Sequence, residues 1–186
     1  NKKLLFLKGF GLYQGIKMGL AVSFTKIINI IDKIFNYSLF KNPKSIEASA
    51  IKCKAKFLTI SNPNTLQFIE TLKRDNIEMI ISFSAPTIFK SKLLKLPKYG
   101  CINLHCSLLP KYAGILPSFW TIFNQEEYIG ATVHYMDDKI DNGDILGQIK
   151  IKMPSNPTMF KVIKMTKEKG GQLVCDTVQN IYITKY

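Results

Sequence analysis

From residue 46 onward, apolar runs of strand length alternate with segments whose apolar residues recur at helical spacing, and this alternation restricts the chain to the α/β class. Ala55 to Ile60 reads as a short strand. Pro63 to Arg74 reads as a helix, with Asn62 as its cap and Pro63 in its first turn, and Ile77 to Phe83 as a buried strand. A brief helix over 90–96, strands over 100–106, 130–137 and 145–153, and a helix over 117–125 follow. The last segment, Thr158 to about Ile181, is helical with an interruption at Gly170-Gly171. That order predicts a mostly parallel twisted sheet flanked by helices, with no internal repeat and no low-complexity linker.

Residues 1–45 differ. They are apolar and basic, with Leu4, Leu5, Leu7, Ile16, Leu20, Phe24, Ile27, Ile28, Ile31 and Ile34 at helical spacing, and predict one or two amphipathic helices packed on the domain formed by residues 46–186. The uncharged runs there, such as Met18 to Thr25, are far short of the roughly 20 residues that a membrane span needs. No apolar core followed by a small-residue cleavage site reads as a secretory signal.

At 186 residues and 46% hydrophobic content the chain can bury a core without covalent staples. Its four cysteines (Cys53, Cys101, Cys106 and Cys175) form no Cys-X-X-Cys pair, so reduced thiols, a cytoplasmic location and no metal site are expected. The net charge of +13 carries little information. Of 26 basic residues Arg74 is the one arginine, and the lysines are scattered through every segment, whereas nucleic-acid sites recruit arginine for bidentate contacts.

The functional signal lies in two polar clusters set in strand-like sequence. Asn103-Leu104-His105-Cys106-Ser107 places an amide and an imidazole two residues apart, hence on one face of a strand, and Ile140-Asp141-Asn142-Gly143-Asp144 could return a carboxylate to the same point on a neighbouring strand. Ser107 to Pro110 breaks the first strand, Lys111 to Gly114 turns, and Pro117 opens a helix. A strand end that opens at a helix entrance is where open α/β sheets place ligands. Cys106 falls on the opposite face of the strand and is not expected to act as a nucleophile. Ser107 reads as a turn former, His134 as structural or peripheral, and Phe119, Trp120 and Phe123 as core.

The stretches Gly100-Cys-Ile-Asn-Leu-His-Cys-Ser-Leu-Leu-Pro-Lys-Tyr-Ala-Gly114, Gly130-Ala-Thr-Val-His-Tyr-Met-Asp137 and Ile140-Asp-Asn-Gly-Asp-Ile-Leu-Gly-Gln148 resemble the catalytic domain of the folate-dependent formyltransferases, strongly over about residues 77–153 and more weakly from 55. Within that family the likeness is to the sugar N-formyltransferases and methionyl-tRNA formyltransferase-like proteins. The resemblance implies a Rossmann-like fold and transfer of a formyl group from 10-formyltetrahydrofolate to a primary amine. It implies that Asn103 holds the formyl oxygen, that His105 assists proton transfer and stabilises the oxyanion, and that Asp141 orients and charge-balances His105. It further implies a folate site at Thr87, Ile88, Phe89, Leu94, Met136, Asp138 and Asp141. The family's opening strand-helix-strand unit has no match here, so the chain is expected to be incomplete at its N-terminal side.

The expected acceptor is a small amine, foremost a nucleotide-linked amino sugar. The chain ends at Tyr186 without room for a tRNA-gripping domain, which disfavours nucleic acid while leaving tRNA open. Three alternatives stand beside this reading: methionyl-tRNA formyltransferase, formyltetrahydrofolate hydrolase, and a non-catalytic basic interaction module. The oligomeric state stays open.

Overall fold

The computed structural model describes residues 12–184 and divides into two compact units, one reaching to Ile60 and the other beginning at Ser61. The expected apolar positions Leu4, Leu5 and Leu7 lie outside the described residues.

In the first unit, α1 spans Leu12–Ile34 and α2 spans Ile46–Lys52. The Ser45 hydroxyl caps α2 by accepting the Ala48 N–H at 3.1 Å. Lys33 pairs with Glu47 at 3.1 Å, and the buried Asp32 carboxylate accepts the Leu39 N–H. Leu20, Phe24 and Ile34 on α1 are exposed. No helix among the described residues is long and apolar enough to cross a membrane. Ala55 to Ile60, expected as a strand, joins no ladder and is exposed throughout. Without a partner strand its apolar alternation has nothing to bury against.

The second unit runs α3 (Leu66–Arg74), β1 (Ile80–Phe83), α4 (Ser91–Leu94), β2 (Cys101–His105), α5 (Pro117–Phe123), β3 (Tyr128–Tyr135), β4 (Ile145–Lys152) and α6 (Met159–Thr184). Helix α3 starts later than expected. Asn62 Oδ1 accepts the Asn64 N–H in a turn of its own, and Thr65, whose hydroxyl accepts the Phe68 N–H, is the cap.

The sheet order is β1-β2-β3-β4, and it is mixed: β1 and β2 are parallel, whereas β2–β3 and β3–β4 are antiparallel. The expectation of a mostly parallel sheet fails at β3 and β4. A parallel crossover needs a dozen or more residues, and the link from Tyr135 to Ile145 is too short for one.

Strand alternation sorts β2. Ile102 and Leu104 join Ala131, Val133, Val174 and Ile181 in the main core under α6, while Cys101 joins Ile69, Phe89 and Leu93 in a second cluster. Burial drives the Cys101 thiol up to about 11. Asn103 and His105 share the parity of Cys101, so the strand that fills the core also carries the polar pair.

Helix α6 passes through Gly170-Gly171 unbroken. A Cβ at Gly170 would stand 2.8 Å from Leu104 Cδ1 and 3.1 Å from Ala131 Cβ, so the glycine is what lets the helix lie close on the sheet. Gly170→Ala should therefore destabilise the protein, because overpacking at about 1–3 kcal/mol exceeds the gain in helix propensity of up to about 1 kcal/mol. A lower midpoint in thermal or urea unfolding is the expected observation.

Of the α5 aromatics, expected as core, Phe119 is half-buried and the other two are not core. Phe119 lies 5.1 Å from Trp120 and 5.8 Å from Phe123, and Trp120 and Phe123 are exposed beside Ile115 and Leu116. Helical spacing marks a shared face without saying whether that face is covered.

Candidate active site

β2 ends at His105, and the chain leaves the sheet through a loop that returns at α5. A second loop joins β3 to β4. Between them and the segment after β1 lies a crevice of about 930 Å3. Three of its lining residues, Ser84, Leu116 and Asp141, have backbone in the left-handed region, where the surrounding structure must hold conformations that L-residues disfavour.

Asn103, His105 and Asp141 converge on this crevice. His105 Nδ1 lies 3.2 Å from Asp141 Oδ2, and Asn103 Nδ2 donates to Asp141 Oδ1 at 3.4 Å. The aspartate comes from the β3–β4 loop and not from a strand, and its Oδ2 also accepts the Gly114 N–H at 2.8 Å. The carboxylate therefore ties the two loops together. His105 Nε2 stands 2.8 Å from the Tyr112 carbonyl. A carbonyl only accepts, so this contact assigns a proton to Nε2.

His134, expected to be structural or peripheral, is not peripheral: it belongs to the same hydrogen-bond network. It is Asn103's direct partner across the β2–β3 ladder and is 2% exposed. Its Nδ1 donates to the Tyr135 carbonyl at 2.7 Å. Its Nε2 lies 3.2 Å from Asn103 Nδ2 and 3.5 Å from Asp141 Oδ1. The charge state of the ring chooses between them: the neutral ring accepts from the amide, and the imidazolium donates to the carboxylate. The alternation of Thr132, His134 and Met136 was visible in the sequence. The antiparallel pairing that sets His134 opposite Asn103 was not.

Burial pushes the Asp141 carboxyl up. The hydrogen bonds from His134 and the Gly114 N–H, with the charges of His105 and His134, outweigh it and hold the group below its ordinary value of 3.8. A depressed folded-state value means that the stability contributed by Asp141 is fully present above about pH 4 and is lost as the pH falls through the folded value. In urea unfolding from about pH 5 to about pH 2, the stability gap between wild type and Asp141→Asn should shrink with acid.

Of the expected folate-site residues, Thr87, Ile88, Phe89, Met136 and Asp141 line the crevice, and Leu94 and Asp138 do not. Leu94 packs in the cluster around Leu93 and Cys101 because the short helix α4 turns it inward. Asp138 is exposed at the tip of its loop, while neighbouring Asp137 ties that loop together by accepting from the Lys139 N–H and from Asn142 Nδ2. Ser107 donates to the Lys111 carbonyl at 2.7 Å and thus does form the turn. Cys106, expected on the far face, borders the crevice because strand alternation stops at His105.

A sheet whose strand ends and loops gather an amide, two imidazoles and a carboxylate at one crevice defines an α/β protein with a polar cluster in a ligand-sized cleft. The formyl transferase family profile matches residues 38–178, and the chain belongs to that family. It is 34% identical over 154 residues to methionyl-tRNA formyltransferase of Caldicellulosiruptor saccharolyticus, covering 81% of this chain and 49% of that protein. It is 36% identical over 154 residues to the bifunctional polymyxin resistance protein ArnA of Wigglesworthia glossinidia brevipalpis, covering 83% of this chain and 23% of that one. The chain thus spans about half, or less, of the length of these curated relatives.

Two solved structures share the fold. Phosphoribosylglycinamide formyltransferase from Bacillus halodurans superposes with a TM-score of 0.66 at 19% identity, covering 76% of each chain. The formyltransferase PseJ from Anoxybacillus kamchatkensis, in complex with UDP-4,6-dideoxy-4-formamido-L-AltNAc and tetrahydrofolate, superposes with a TM-score of 0.57 at 23% identity, covering 68% of this chain and 64% of that one.

Proposed function

We propose that this protein transfers a formyl group from 10-formyltetrahydrofolate to a primary amine, and that the amine is borne by a nucleotide-linked amino sugar. The observation that carries the reading is the meeting of Asn103, His105, His134 and Asp141 at one crevice. The crevice, about 930 Å3, has the size of small-ligand sites and is walled by the Ala85–Phe89 segment and the loop from Met136 to Asp141, which suits a flat heteroaromatic ring.

In this reading the amine nitrogen bonds to the formyl carbon, the bond from that carbon to N10 of the folate breaks, and the proton shed by the amine ends on N10. Negative charge develops on the formyl oxygen. Asn103 donates to that oxygen: when His134 is charged and turned to Asp141, one Asn103 N–H is released for it. A preorganised donor of this kind contributes about 3–4 kcal/mol to the barrier. His105, its Nε2 proton fixed by Tyr112, lies beside the oxygen; the proton held between its Nδ1 and the Asp141 carboxylate passes to N10, and the proton shed by the amine replaces it.

Methionyl-tRNA as acceptor is the second reading, favoured by the 34% identity to a methionyl-tRNA formyltransferase. Incubating the protein with 10-formyltetrahydrofolate in three arms separates the possibilities. Formylation of an amino sugar nucleotide supports the proposal, and formylation of methionyl-tRNA supports the second reading instead. Formate released without any amine marks a hydrolase. No turnover in any arm, together with no heat of binding for a stable formylfolate analogue, sinks the enzyme reading in favour of a basic interaction module.

A further inference from the structure

We propose that Glu126 is a positioning residue for formyl transfer, acting on His105 through Tyr112; the inference rests on the formyl-transfer reading above. His105 Nε2 points at a backbone carbonyl, that of Tyr112, at 2.8 Å. Tyr112 is itself in the left-handed region at φ 58°, a conformation that a bulky residue keeps only when its surroundings hold it. The holding contacts are specific. The Tyr112 hydroxyl donates to Glu126 Oε1 at 2.7 Å and accepts from Asn124 Nδ2 at 3.1 Å. Lys111 Nζ reaches the same carboxylate at 3.0 Å.

The loop is staked on either side of that carbonyl. Ser107 holds the carbonyl of Lys111, and Asp141 holds the N–H of Gly114. Between these stakes the Tyr112 side chain holds the peptide that faces the imidazole, and Glu126, in the turn between α5 and β3, accepts the hydrogen bond of its hydroxyl. An exposed Lys–Glu pair contributes little by itself. A short O–H···O bond to a carboxylate is the stronger contact. The Glu126 carboxyl is held below its ordinary range first by the Tyr112 hydroxyl and then by Lys111.

A purely architectural role for Glu126 would lower stability without touching the imidazole. The positioning role predicts more. Glu126→Ala should lower kcat about tenfold with the KM for 10-formyltetrahydrofolate little changed, since small misplacements of a catalytic group weaken the chemical step more than binding. It should also move the His105 Nε2 resonance in nitrogen-detected NMR of the histidine-labelled protein. Glu126→Gln, which still accepts the Tyr112 hydroxyl, should restore most of both. Tyr112→Phe should match Glu126→Ala, and the double variant should be no worse than either single one, because both break one contact chain.

An unchanged kcat and an unmoved His105 resonance in folded Glu126→Ala would overturn the proposal, as would additive losses in the double variant. If wild-type protein transfers no formyl group to any acceptor, the function reading falls, while the resonance still tests the chain from Glu126 to His105.

Discussion

Asp141→Asn should cut turnover by on the order of 10²–10⁴-fold while the protein still folds. The carboxylate does three things at once: Oδ1 accepts from Asn103 Nδ2, Oδ2 accepts the Gly114 N–H, and the charge faces His105 Nδ1 at 3.2 Å. An amide has one accepting oxygen. If the oxygen of the substituted amide keeps Gly114, its NH2 group faces the Asn103 amide, donor against donor; if it turns to Asn103, Gly114 loses its acceptor and NH2 meets His105. In either orientation the negative charge that balances the imidazole is gone. The lost hydrogen bonding should lower stability by about 1–3 kcal/mol, too little to unfold a domain of this size. Steady-state formyl transfer alongside thermal unfolding separates the two effects, and unaltered turnover would remove Asp141 from the mechanism.

Gly143→Ala should be nearly as damaging without touching a functional group. A Cβ at this position would collide with the Tyr135 carbonyl oxygen and stand 2.8 Å from the Tyr135 carbonyl carbon. Backbone atoms of an inner strand cannot rotate out of the way, so the loop itself must move. Tyr135 N–H donates to the Asp144 carbonyl at 2.9 Å, and that bond would stretch as the loop lifts and carries Asp141 with it. A displacement near 1 Å at a reacting centre corresponds to roughly a 10²-fold loss, and overpacking of this kind destabilises by about 1–3 kcal/mol. The expected result is low kcat in a protein with a reduced unfolding midpoint. Wild-type kcat in Gly143→Ala would show that the loop tolerates the displacement and that Asp141 is not held where the chemistry needs it.

Some of this arrangement can be read directly from the residues. Asn103 and His105 lie on one face because strand period is a local property, and the helix at Pro117 follows from proline chemistry at a helix start. Asp141 was expected to meet them from a neighbouring strand, with its role implied by the likeness of its segment to the formyltransferases, and its place on a loop required the fold. His134 shows the limit most clearly. Its parity within β3 was legible, but a strand's parity says nothing about which strand lies beside it, and the Asn103–His134 contact depends on the β2–β3 register. Trp120 and Phe123 fail for a related reason: spacing defines a face, and burial depends on what covers it. Gly170-Gly171 reads as a break by propensity, yet packing against Leu104 and Ala131 makes small residues the requirement there.

The amino-acid sequence by itself determined the α/β class, the order of the elements beyond Pro63 and the parity of β2 and β3, because backbone sterics and side-chain period act within a few residues. Strand neighbours, the antiparallel turn of β3 and β4, and the gathering of two histidines around one aspartate were decided by tertiary structure. Those contacts join residues far apart along the chain, and only the packing of the sheet fixes which of them meet.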